Sequence, residues 1–285
     1  MSDQIRNVSQ IITPIKVMEG AGVLLKRSIA TRTLDYFDPF LLLDHFGSDN
    51  PDDYLAGFPM HPHRGIETVT YMLAGKVTHK DSLGNHGTIG AGDVQWMTAG
   101  RGIMHEEMPK PDEGKMEGFQ LWVNLPAKLK MTNPRYQDIA SKDIPEVELP
   151  GGVKIRLIAG HLGSTSGAVT DIYADPIYLD VSLPPEASFI HPVIAGHNAF
   201  AYLFRGKGMF GATASLAEAP QLVLFGDGDV INVQAATEGG RFLLVSGLPL
   251  SEPIARYGPF VMNTKAEIEQ TLVELRNGTF IKSSN

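Results

Sequence analysis

Four side chains in the first half of the chain have the types and spacing of a metal site. The stretch MHPHRGIETVTYMLAGKV (Met60–Val77) sets His61 and His63 two residues apart, and GRGIMHEEMP (Gly100–Pro109) sets His105 and Glu107 two apart. On a strand such pairs project to one face. If Met60–Val77 is extended throughout, Glu67 projects with the two histidines. Three imidazoles and a carboxylate suit a divalent first-row metal and leave positions open for water or substrate. The bland alternative is a set of surface or loop histidines bonded to water. That is the ordinary fate of a lone histidine, but here two pairs each adjoin a glycine-rich turn. His45, His79, His86, His161, His191 and His197 show no such pairing and are read as solvated or structural.

These side chains need strands to hold them. The 30 glycines and 19 prolines punctuate the sequence throughout. Between them lie short alternating or β-branched runs: ETVTYML, GDVQWM, FQLWVNL, VKIRLIA, IYLDVSL, FAYLF, DVINV and RFLLVSG. Many short strands with turn signals at this spacing predict an all-β sandwich or barrel. One helix is predicted in NTKAEIEQTLVELRNG: Thr264 as N-cap, Glu267 completing a capping box, an apolar stripe of Ile268, Leu272 and Leu275, and Asn277–Gly278 at the close.

Two segments echo each other across the halves. IETVTYMLAGKV (Ile66–Val77) resembles HNAFAYLFRGKG (His197–Gly208), and IGAGDVQWM (Ile89–Met97) resembles LFGDGDVINV (Leu224–Val233). Duplication into two β domains explains this, divided as 1–135 and 136–285. The linker is expected within the polar, alternation-free run PAKLKMTNPRYQDIASKDIPEVELPGG.

The remaining properties exclude classes. A chain of 285 residues with 43% hydrophobic and 20% charged residues is ordinary for a globular protein. A net charge of -8 without a basic run argues against nucleic-acid binding. No stretch has the apolar length of a membrane span, and MSDQIRNVSQIITP lacks a signal-type apolar region. Without a signal or any cysteine, the expected location is the cytoplasm.

FPMHPHRGIETVTYMLAGKVTHKDS, GDVQWMTAGRGIMHEEMP and EPIARYGPFVMNT resemble the signatures of the pirin family, and the resemblance covers essentially the whole chain. It implies a bicupin, two antiparallel β-barrels, with one non-haem iron, Fe(2+), held by His61, His63, His105 and Glu107. Other first-row metals fit the same donors. Glu67 would then stand behind the ligands. Aligning Asn198 with Glu67 puts Pro192 and Ile194 where His61 and His63 stand, so the second barrel is expected to hold no metal.

The activity implied is that of a quercetin 2,3-dioxygenase, opening a small flavonol-like aromatic ring system with O2. Glu107 would take the 3-hydroxyl proton as catalytic base, whereas Glu106 faces away. Phe58, Trp96, Met97 and Met104 would line the pocket, or else belong to the core. The rival reading is a metal-bearing binding module, a redox-sensitive regulator of a transcription factor or metabolic enzyme. A weaker third is an isomerase or another oxygenase, since fold does not fix function. The chain is expected to be a monomer.

Overall fold

The computed structural model describes residues 3–110 and 115–282. The expected class is what forms: among the described residues the paired strands are antiparallel and there is one α-helix, Lys265–Arg276. The alternating runs become strands, among them Ile66–Ala74, Val94–Thr98, Met116–Asn124, Val153–Ala159 and Ile177–Leu183. No helix among the described residues is long and apolar enough to cross a membrane.

Two compact units emerge, and the termini change sides. One unit holds residues 16–141 with 250–285, the other residues 1–15 with 142–249. This differs from the expected division at 135. The first strand, Val8–Ile12, pairs with Gln221–Phe225, and the C-terminal helix packs on the unit that carries the histidines. The expected linker also carries strands. Arg135–Ile139 pairs with Val94–Thr98, and Glu146–Leu149 pairs with Val153–Ala159. Both are end strands of their sheets, where half-exposed polar side chains are tolerated and alternation fades.

The unit of residues 16–141 and 250–285 has a seven-stranded sheet, in the order Arg135–Ile139, Val94–Thr98, Ile66–Ala74, Met116–Asn124, Phe40–Ser48, Val23–Ile29, Ile15–Glu19. Its second sheet has four strands, in the order Phe58–His63, Ile103–Lys110, Lys76–Asp81, His86–Ile89. Val23, Leu25, Phe46, Met72 and Met116 of the first sheet meet Val77 and Ile89 of the second in one buried cluster. The helix begins with the predicted capping box: Thr264 Oγ1 accepts from Glu267 N at 3.3 Å, and Glu267 Oε2 accepts from Thr264 N at 2.8 Å. Ile268, Leu272 and Leu275 pack on Phe260, Met262 and Phe280, as the stripe requires.

In the other unit, DVINV and RFLLVSG are not separate strands but parts of one 18-residue strand, Val230–Gly247. It pairs with Asn198–Phe210, and both strands are irregular around Gly206 and Gly239. A Cβ on Gly206, at φ +70°, would lie 2.0 Å from the Gly239 carbonyl oxygen, so only glycine fits. The core includes Leu157, Leu179, Phe189, Phe210, Ile231 and Phe242.

Candidate metal centre

Register explains how the histidines meet. In the antiparallel pairing of Phe58–His63 with Ile103–Lys110, His105 lies opposite His61, and Ile103 opposite His63. Opposed residues share a face, so His105 joins the side on which His61 and His63 already stand. The donor atoms of the three imidazoles all lie within 4.8 Å of one another. His61 Nε2 and His63 Nε2 are 3.0 Å apart.

One imidazole is oriented by a backbone hydrogen bond, and burial favours the neutral form of the other two. His61 Nδ1 stands 2.9 Å from the Pro59 carbonyl oxygen, which can only accept, so Nδ1 donates and Nε2 is turned toward His63. His63 and His105 are buried. Burial, then its neighbours His105 and His61, holds the His63 imidazole well below its ordinary value. Burial lowers His105 to about 4, against an opposing pull from Glu107. Neither ring nitrogen of His105 has a hydrogen-bond partner. Two buried ring nitrogens without a partner are costly, and a cation bound beside them would remove that cost. The donor set therefore fits a divalent metal.

Glu107 is buried on the same strand, two residues beyond His105, and its carboxylate lies outside the three-histidine group. Its Oε1 accepts from Thr70 Oγ1 at 3.1 Å, and its Oε2 from Gln120 Nε2 at 3.1 Å. Gln120 Oε1 in turn accepts from Trp122 Nε1 at 3.3 Å. Thr70 and Gln120 are opposed on the seven-stranded sheet, so that sheet grips the carboxylate from across the interior. A register shift between His105 and Glu107, where Pro59 offers no N–H, brings Phe58 opposite Glu107. Glu106 points the other way, its Oε1 2.9 Å from Lys80 Nζ.

Glu67 is elsewhere. The extended run expected from Met60 breaks at Arg64–Gly65, and Glu67 lies in the strand Ile66–Ala74 of the other sheet, accepting from Thr98 Oγ1 at 2.6 Å. Gly65 has φ +79°, and a Cβ there would lie 1.9 Å from the Val261 carbonyl oxygen. The break inverts the parity on which the shared face of Glu67 depended.

His61 and His63 open onto a cleft whose walls include Phe58, Tyr36, Gln120, Trp122 and Arg256. Of the four expected pocket residues only Phe58 lines it. Trp96 and Met97 are core, and Met104 packs toward Phe260 and Met262. Sequence reasoning missed Trp122, whose ring meets His63 edge-on at 5.1 Å, with the Arg256 guanidinium 5.2 Å above it. The tryptophan in FQLWVNL was the available signal. His79, read as solvated, is instead buried opposite Glu107 in register, with Nε2 3.6 Å from Asp138 Oδ2. His45 is also buried, bonded to Glu117 at 3.0 Å. His191 and His197 are buried and structural: His191 stacks on Phe189, and the His197 carbonyl accepts from Arg6.

Two family models match the chain, Pirin over residues 22–123 and the Pirin C-terminal cupin domain over residues 178–281. A pirin-like protein of Caulobacter vibrioides is 44% identical over 277 residues, covering 97% of this chain and 99% of that one. A pirin-like protein of Solanum lycopersicum is 45% identical over 263 residues, covering 91% and 88%. A crystal structure described as quercetin 2,3-dioxygenase from Acinetobacter baumannii matches with TM-score 0.89 at 37% identity, over 97% of this chain and 98% of that chain.

Proposed function

This chain belongs to the pirin family of two-cupin proteins, and on that premise we propose that it is an iron-dependent dioxygenase acting on flavonol-like aromatic substrates, of the quercetin 2,3-dioxygenase type. The observation that carries the reading is the convergence of three imidazoles, two of which, His61 and His63, line a cleft that also holds Phe58, Tyr36 and Trp122. His61, His63 and His105 would hold the metal, with Glu107 as fourth ligand. Bound there, Fe(2+) would supply a Lewis acid that favours the ionised hydroxyl of the substrate and a redox partner for dioxygen.

The chain's own residues do the rest. Trp122 and Phe58 offer apolar faces to a flat ring system entering the cleft. Glu107 receives the 3-hydroxyl proton as general base. Thr70 and Gln120 hold the carboxylate in place by hydrogen bonds to its two oxygens. The name carried by the Acinetobacter baumannii structure supports the same chemistry. The test is dioxygen uptake by iron-loaded protein over a panel of flavonols. Uptake that requires both iron and flavonol supports the reading, and none with any flavonol turns the assignment to a non-catalytic, metal-bearing regulator.

A further inference from the structure

Behind the cleft lies a second, much smaller cavity, and its wall is mostly hydrocarbon. Val23, Leu25, Phe46, Val77, Pro109 and Met116 surround it, with Phe58, Asp44, Thr70, Gln120 and Glu107 completing the lining. The polar groups that reach it are already engaged. Glu107 is bonded to Thr70 and Gln120, and both Asp44 oxygens accept from Arg27, at 2.8 and 2.7 Å. Its free space is that of about two water-sized molecules. That is far too small for a flavonol, which has the cleft, and it offers a water few free partners. A small apolar molecule matches this lining better than water does, and the aromatic substrate is too large for it.

The position of the chamber matters as much as its chemistry. It is walled by Glu107, whereas the cleft is walled by His61 and His63. Phe58, Gln120 and Asp44 line both spaces, so the chamber and the cleft adjoin. We propose that this chamber binds dioxygen and supplies it from the Glu107 side, while the aromatic substrate enters through the cleft. The identity of the occupant rests on the dioxygenase reading; the affinity of the chamber for a small apolar gas does not.

Xenon is the probe, because it binds dry apolar cavities and needs no turnover. Crystals of the iron-loaded protein under xenon pressure should show xenon among Val23, Leu25, Val77 and Met116. The Val77→Phe variant, which fills the space, should lose that xenon and raise KM for dioxygen at least several-fold, with KM for the flavonol unchanged. Should phenylalanine overpack the core and prevent folding, Val77→Met reduces the same volume more gently and should shift both readouts in the same direction. Ordered water in the chamber in place of xenon, or an unaltered KM for dioxygen in a folded variant that excludes xenon, would overturn the proposal. Xenon in the chamber of a protein that never consumes dioxygen would support a gas site and sink the dioxygenase reading instead.

Discussion

Arg64, the residue that follows His63, donates from Nη2 to Glu274 Oε2 at 2.7 Å and so ties the histidine strand to the C-terminal helix. The rest of the guanidinium is also held: Nε donates to the Arg101 carbonyl at 2.7 Å, Nη1 to Thr271 Oγ1 at 3.0 Å, and the Phe280 ring lies 4.5 Å away. Breaking a buried pair by removing one partner costs about 3–5 kcal/mol. Glu274 is only partly buried and Arg64 keeps its other partners, so Glu274→Ala should destabilise this unit by about 1–3 kcal/mol, less than a fully buried pair. Thermal unfolding with and without iron measures it. An unchanged midpoint would mean that the helix does not brace the site.

The same pair has a pH signature. Burial opposes ionisation of Glu274, but hydrogen bonds from Arg64, Gln270 and Lys282 win and lower it to about 2. A carboxylate depressed in the folded state stabilises fully above its unfolded value near 4.5 and loses that contribution as pH falls toward 2. Between those limits the wild-type chain should lose stability faster than Glu274→Gln, by denaturant melts at matched pH. Parallel curves would remove the linkage.

Lys130 is buried without a carboxylate. Its Nζ donates to the Gly65 carbonyl at 2.9 Å, the Val261 carbonyl at 2.9 Å and Asn124 Oδ1 at 2.7 Å, pinning the turn behind the histidine strand. Burial lowers it from 10.5 to about 8. Between those values the unfolded chain binds more protons than the folded one, so this group makes stability rise with pH across that window. Lys130→Met strands three acceptors at about 1–3 kcal/mol each. It should be less stable at pH 7 and should lack the rise that this lysine gives the parent between pH 8 and 10.5. A variant with the parent's pH slope would show that the lysine is not the source.

Much of this was legible in the sequence, and what was not has physical causes. Strand periodicity is local, so the spacing of His61 and His63 pointed directly to the side on which they meet His105. Glu67 misled because one glycine at positive φ ended the strand and reversed parity. Gln120, Thr70 and Trp122 reach the site from another sheet, and no local spacing announces a cross-sheet contact. His79 carries no pair of its own and is buried only because its strand lies opposite Glu107. The exchange of termini between the units depends on long-range pairing, which composition does not record.

Glu107 separates holding the metal from handling a proton. Glu107→Gln keeps the size and one oxygen donor but loses the charge and most of the basicity. Iron retention should fall modestly, while the rate per bound iron should fall by about 10²–10⁴. Equal rates per iron would remove the base role and leave Glu107 as a ligand alone.

The most direct measurement is flavonol-dependent dioxygen uptake per bound iron, with metal content determined on the same samples, for the parent chain and for the double variant His61→Ala/His63→Ala. The parent should hold one iron per chain and consume dioxygen only when flavonol is present. The double variant, folded, should hold no iron and consume none, which also leaves the second barrel without metal. Iron retained by the double variant, or a fully loaded parent that leaves dioxygen untouched with every flavonol, would contradict the assignment.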